Sequence, residues 1–210
     1  MRLTISMPCF GRPKRTIRAI ESICNQTIDG WEALVVGDGC SVMQDYILSG
    51  YFSDIVRTAN ARGNNLNISN LSQNYGGHGY HITNLNIQRA KGKYFTFMAN
   101  DDIILPNHFE NYLSGIEGTD YDFVFFNSFI EPFGGLRNAE LRYGGIGHSE
   151  ILVKTEFLKQ MPPHNAEYGH DWVLIDNMMR ASTNGFKKCE NNPATYVVKG
   201  LGEHRADSID

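Results

Sequence analysis

The order of elements along this sequence predicts an α/β fold with a mixed, mainly parallel central sheet. Two observations carry that expectation. Short β-prone runs alternate with segments of helical periodicity through the first half. The polar clusters fall at the ends of those β-prone runs. LTISM (Leu3–Met7) is the first strand, closed by Pro8. Pro13 opens a helix, where its missing N–H costs nothing, and Ile17, Ile20, Ile23 and Cys24 recur on one face. Trp31–Val36 is the second strand and runs into Gly37-Asp38-Gly39. Val42–Leu48 reads as a weak helix and Ile55–Ala59 as a third strand, followed by a polar, Asn- and Gly-rich loop over 61–79. Ile82–Lys91 is helical, with Ile82, Leu85 and Ala90 inward and Gly92 ending it. Tyr94–Ala99 is a strand that ends at Asn100-Asp101-Asp102, Pro106 starts a helix through Ile116, and Asp122–Phe129 is a buried strand.

The second half is less regular. Glu131–Gly147 is Gly-rich and reads as a long loop or hairpin, and Ser149–Lys154 as a short strand. Asp171–Ser182 is helical, and Phe186–Glu190 and Ala194–Lys199 are two final strands. With no repeat, linker or low-complexity stretch, the expectation is one domain over 1–210, made of two halves that share a sheet. A chain of 210 residues buries roughly two thirds of its unfolded surface, enough for a core without staples. Hydrophobic residues at 41% and charged residues at 20% are ordinary for a globular chain.

The net charge of −4, from 19 basic and 23 acidic residues, gives nothing basic enough to suggest a nucleic-acid groove. Cys9, Cys24, Cys40 and Cys189 form no CxxC pair, and the first three sit in or beside apolar segments. That pattern suits reduced packing residues in a cytoplasmic protein. No apolar run approaches the ~18 residues that span a bilayer, and MRLTISMP begins a strand, not a signal peptide. The chain is expected to be cytoplasmic, and any peripheral membrane association to come from a partner, a surface patch or further sequence.

Right-handed crossovers put the carboxyl ends of parallel strands on one edge of the sheet. Pro8–Arg12, Gly37–Ser41 and Asn100–Asp102 all follow strands, so topology draws them towards one crevice. Paired carboxylates at a strand end repel unless compensated, and a hard divalent cation, Mn²⁺ or Mg²⁺, does so with a diphosphate completing its shell. Asn100-Asp101-Asp102 suits that role and equally suits a solvated turn into the next helix. Asp38 is placed to accept the N3–H of a pyrimidine base, or serves as a turn residue before Gly39. Phe10 lies against the base or packs in the core. Asp171, in YGHDW, is positioned to deprotonate a hydroxyl nucleophile, or caps its helix. His78 and His81 invite a zinc reading, but no second ligand pair at suitable spacing accompanies them. His204, in GEHR, is a candidate metal ligand or phosphate contact, or an exposed tail histidine.

Several segments together resemble the family 2 glycosyltransferases of the GT-A fold. ISMPCFGRP (Ile5–Pro13) resembles the family's opening strand and turn. AIESICNQTIDGWEALVVGDGCS (Ala19–Ser41) is similar to its first helix and second strand with an Asp-Asp-Gly-Ser-like end. ITNLNIQRAKGKYFTFMANDDIILP (Ile82–Pro106) resembles the helix, Ala-Lys-Gly turn and strand leading to the DXD motif. Beyond residue 113, GHSEILVKTEFL (Gly147–Leu158), GHDWVL (Gly169–Leu174) and EHRADSI (Glu203–Ile209) are similar to the acceptor-side and closing segments. The resemblance implies an inverting transferase that moves a sugar from a nucleotide-diphosphate donor, UDP-hexose favoured, to a glycan, lipid-linked or protein-linked hydroxyl.

By position, the resemblance puts Asp38 and Phe10 at the base and Asn100, Asp101 and Asp102 on DXD. Asp102 then falls as the direct metal ligand and Asp171 as the catalytic base. Residues 1–113 become a nucleotide-sugar half and 114–210 an acceptor half. Pro8, Arg12, His78 and Asn84 join the expected donor site, and His148 and Trp172 the acceptor side. The sequence departs from the family at Pro8, Gly37, Thr83 and Asn100; Thr83 stands where an Arg is usual, and His78 is a candidate replacement for its phosphate contact. PCFGRP in place of GxGxxG excludes a dinucleotide-dependent dehydrogenase. A non-catalytic nucleotide-sugar-binding module of the same fold is the alternative.

Overall fold

The structure, a computed structural model, describes residues 1–130, 135–164 and 169–198. Its first half is β1 (Leu3–Cys9), α1 (Pro13–Cys24), β2 (Trp31–Gly37), α2 (Ser41–Leu48), α3 (Ser53–Ala61), β3 (Asn65–Asn70), α4 (Tyr80–Arg89) and β4 (Tyr94–Phe97). These four strands are parallel in the order β3-β2-β1-β4. Pairing Leu3 with Trp31 and with Tyr94 brings their carboxyl ends to one edge.

The second half is β5 (Asp102–Ile104), α5 (His108–Ile116), β6 (Phe123–Ile130), β7 (Gly135–Arg137), β8 (Ile151–Lys154), α6 (Thr155–Leu158), α7 (His170–Ala181) and β9 (Phe186–Val198). It extends the same sheet as β4-β8-β6-β9-β5, with β8 antiparallel to both β4 and β6, and with β7 hairpinned onto β6.

Alternation along the central strands builds two cores, one on each face. Tyr94, Leu152, Val124 and Phe126 face the layer containing Ile20, Ile23 and Phe109. Phe95, Phe97, Ile151, Val153, Phe123 and Phe125 face the layer containing Ile87, Leu174, Ile175 and Met178. A period of two with apolar residues on both faces is what a sheet sandwiched between helices requires.

Three local expectations change. Ile55–Ala59 lies inside α3, because Ile55, Val56 and Ala59 fall on one helical face and pack on the first core. The third strand is instead Asn65–Asn70, within the expected loop; Leu66 faces the core, and Asn60 accepts the Leu66 N–H at 3.2 Å. The two expected final strands are one strand, β9, whose pairing with β6 shifts register between Phe126 and Phe129. All four cysteines are free thiols. Burial pushes the Cys24 thiol up to about 11, so it stays protonated and unreactive at neutral pH.

Candidate functional site

The carboxyl ends of β1, β2 and β4 open into a cavity of about 590 Å³. From β1 and its turn come Pro8, Cys9, Phe10 and Arg12; from β2, Asp38; from β4 and its exit, Phe97 through Asp101. The loop into α4 adds Asn74, Gly76, His78, Gly79 and Thr83, and the far side is closed by His148, Ser149 and His170. Gly79 is fixed by its neighbours: a Cβ there would stand 2.6 Å from the Pro8 Cβ, at φ +80°. The described non-glycine residues at positive φ are Arg12 (48°) and His78 (56°), and both line this cavity. Backbone held in that costly region concentrates at binding and catalytic sites.

Asp38 is buried, yet its carboxylate edges the cavity. Oδ1 accepts the Tyr75 N–H and Oδ2 the Gly76 N–H, each at 2.9 Å, so Asp38 ties the α4 approach loop to β2. Gly37 has a structural cause as well. A Cβ there would lie 2.1 Å from Asn70 Oδ1, an atom that accepts the Cys40 N–H at 3.1 Å. Phe10, 53% exposed, stands free at the cavity wall instead of packing in the core.

The three residues after β4 divide their roles. Asn100 is buried and donates its amide to Thr16 Oγ1 at 3.0 Å, a bond that a carboxylate would not donate. Asp101 lines the cavity and is ion-paired with Arg12, with Arg15 Nη1 at 3.8 Å. Asp102, expected at the metal, is 4% exposed and lies beneath the cavity floor against His108 and Ser149. Burial first, and then the neighbouring Asp101 carboxylate, push the Asp102 carboxyl up to about 8 despite hydrogen bonds to Ala99 and Ser149. The carboxylate that meets the cavity is therefore that of Asp101.

A second pocket of about 340 Å³ adjoins the first and shares His78, His148 and His170 with it. Asp171 lies here, in the first turn of α7, with Tyr143, Gly144, Ile146 and Trp172. Its Oδ2 comes within 3.9 Å of where a Cβ on Gly147 would be, so the carboxylate faces that chain segment. Trp172 also packs against the second core. Asp171 and Asp101 thus line adjoining chambers.

Asn84, expected in the donor site, does not line either pocket. Its amide clamps the backbone of His164, donating to the His164 carbonyl at 3.0 Å and accepting its N–H at 2.9 Å. His204 lies outside the described residues. Sequence reasoning missed His164 and His170, which the fold brings beside His148, and Glu150, fully buried beneath Asp171's pocket. Glu150 accepts from Ser128 Oγ and from the Gly147 N–H at 2.7 Å. The available signal for Glu150 was its place at the head of the apolar Ser149–Lys154 run, where a lone acidic residue needs buried partners. No local pattern joins positions 148, 164 and 170.

Comparisons with known proteins bear on the fold and the family. In sequence, the chain is 26% identical over 122 residues to an uncharacterized glycosyltransferase of Rickettsia bellii, covering 58% of this chain and 16% of that protein. It is 25% identical over 125 residues to glycosyltransferase GlyG of Streptococcus pneumoniae, covering 60% of this chain and 38% of that one. The chain therefore matches well under half the length of each relative. In structure, it superposes on S. aureus TarS 1-349, solved with UDP, at a TM-score of 0.76 and 16% identity, over 97% of this chain and 62% of that one. It superposes on the mannosyltransferase PcManGT of Pyrobaculum calidifontis, solved with GDP-Man and Mn²⁺, at a TM-score of 0.67 and 14% identity, over 98% and 58%. These likenesses establish the GT-A fold. The family model described as Glycosyl transferase family 2 matches residues 4–166, most of the chain, and the chain belongs to that family.

Proposed function

We propose that this chain transfers a sugar from a nucleotide-diphosphate donor, UDP-hexose favoured, to an acceptor hydroxyl with inversion, in glycan or surface polysaccharide synthesis. The observation that carries the reading is the pair of joined chambers, one holding Phe10, Asp38 and Asp101 and the other Asp171. The S. aureus TarS structures with UDP and UDP-GlcNAc, and the PcManGT structure with GDP-Man and Mn²⁺, support a nucleotide-sugar donor. The PcManGT structure also supports a divalent cation.

The residues present fit such a cation in a lean form. Asp101 offers a hard carboxylate in the cavity, and Mg²⁺ or Mn²⁺ is commonly held by one or two carboxylates plus substrate phosphates and water. The cation would share Asp101 with Arg12, and Asp102 stays below the floor. Bound there, it would neutralise charge developing on the departing diphosphate. Phe10 stacks on the base, and Asp38 accepts its N3–H. Arg12 and His78 face the diphosphate. Asp171 takes the proton of the acceptor hydroxyl, whose oxygen attacks the anomeric carbon from the α7 side. The acceptor binds along His148 and Trp172.

The test is a panel of nucleotide sugars, assayed by calorimetry and by donor hydrolysis, with and without Mn²⁺. A UDP-sugar bound in the presence of Mn²⁺ and slowly hydrolysed supports the reading. Binding with no hydrolysis and no transfer to any acceptor would leave a non-catalytic nucleotide-sugar-binding module, and no nucleotide binding would refute the site.

A further inference from the structure

Where the two chambers meet, three histidine rings surround one point. His148 opens the turn before β8, His164 follows α6, and His170 is the first residue of α7. Their ring centroids form a nearly equilateral triangle, 5.0, 5.5 and 5.7 Å on its sides. One nitrogen from each lies within 4.8 Å of the other two. A tetrahedral ion with metal–nitrogen bonds of 2.0–2.1 Å needs nitrogens about 3.3 Å apart, so small ring rotations would close the set.

Two further features favour a ligand set over a simple ring stack. His164 is 7% exposed, and neither of its ring nitrogens has a hydrogen-bond partner; nor does Nε2 of His148. Buried polar atoms are rarely left so without a function or an ion. The rings are held in place from behind: Asn84 clamps the His164 backbone on both its N–H and its carbonyl, and Phe97 stacks on His148 with centroids 4.5 Å apart.

We propose that His148, His164 and His170 form a binding site for a borderline transition-metal ion of the Zn²⁺ class, separate from the hard-cation position at Asp101. Three imidazoles with no carboxylate among them select Zn²⁺ and its neighbours over Mg²⁺. Three protein ligands leave a fourth position open. His148 and His170 line both chambers, so that position lies at their junction, within reach of an oxygen ligand from either side. The site does not depend on the transferase reading, because its three ligands are none of the carboxylates that reading uses.

The test is to strip the full chain with a chelator and titrate it with Zn²⁺, and with Co²⁺ as an optical probe, in the absence of nucleotide. The expected result is one equivalent of Zn²⁺ per chain and the visible bands of tetrahedral Co²⁺. Asn84→Ala, which frees the His164 backbone, should weaken Zn²⁺ binding, by less than the roughly 10–100-fold that losing a direct ring partner costs. His148→Gln and His164→Gln should each weaken it further, and Asp101→Ala should leave it unchanged. Wild-type chain loaded with Co²⁺ should also show three strongly shifted imidazole N–H proton signals, a reading that needs no variant to fold. No stoichiometric Zn²⁺ binding, fewer than three shifted signals, or equal affinity in folded His164→Gln would overturn the proposal.

Discussion

Replacing Asp38 separates its two proposed tasks, holding the loop and reading the base. Asp38→Ala deletes the acceptors of two backbone N–H groups, Tyr75 and Gly76, each at 2.9 Å. Hydrogen bonds to a charged group contribute roughly 1.5–3 kcal/mol each, giving an upper figure of about 3–6 kcal/mol if both donors stayed dry. Tyr75 is 45% exposed, so water reaches this stretch, and the expected loss of stability falls to about 3 kcal/mol. An ionised carboxylate has about four lone-pair sites, and the loop occupies two, which leaves room for the N3–H of uracil. The assay is a binding cycle by calorimetry, with UDP and N3-methyl-UDP against wild type and Asp38→Ala. Wild type should prefer UDP by roughly 10–150-fold, one charge-assisted hydrogen bond's worth, and the variant should bind both alike. A wild type indifferent to the methyl group, or a preference that survives in Asp38→Ala, would show that Asp38 only shapes the loop.

Two further predictions concern carboxylates of different kinds. With ligand at ~100 times its dissociation constant, Mn²⁺ and UDP together should stabilise wild type by about 2.7 kcal/mol. Asp101→Asn should lose the metal-dependent part and Asp102→Asn should keep it, as melting temperatures with Mn²⁺ or EDTA will show; the opposite pattern would return the metal to Asp102. Asp122 is buried and accepts from Ser182 Oγ, from the N–H groups of Thr183 and Asn184, and from the Asn184 amide. Burial pushes its carboxyl up, but these bonds, led by Asn184, outweigh it and hold the carboxyl below its ordinary value. The stability it contributes is thus full above about pH 3.9, the unfolded value, and is lost as pH falls through the lower folded value. Asp122→Ala should cost about 1.5–3 kcal/mol near neutrality and flatten that part of the acid limb in urea melts; an unchanged acid limb would reject the assignment.

The layout of the first half was legible because strand ends and polar clusters coincide in sequence. Leu3–Met7, Trp31–Val36 and Tyr94–Ala99 each deliver a polar cluster to one edge, and parallel pairing of β1, β2 and β4 does the rest. Errors arose where local composition was ambiguous. Ile55 and Val56 are β-branched yet lie on a helical face, and Asn65–Asn70 is polar because it is an edge strand with one buried leucine. Which of two adjacent aspartates meets the cavity turns on one residue of register. That is decided by the pairing of Asp102 with Val198, ninety-odd positions away and invisible to local reasoning. The histidine triangle was illegible for the same reason: three segments separated by a strand and a helix meet only in the folded chain.

The central claim is that Asp171 accepts the proton of the acceptor hydroxyl beside a separately bound donor. Asp171→Asn keeps the side chain's shape and its place in the first turn of α7, but removes the base at neutral pH. The measurement is the sugar-transfer rate of Asp171→Asn beside wild type, with the donor dissociation constant and melting temperature taken on the same samples. The account predicts unchanged melting and donor affinity with transfer reduced by roughly 10²–10⁴, the usual contribution of a general base. Transfer close to wild type would contradict it, and so would a loss of donor affinity as large as the loss of rate.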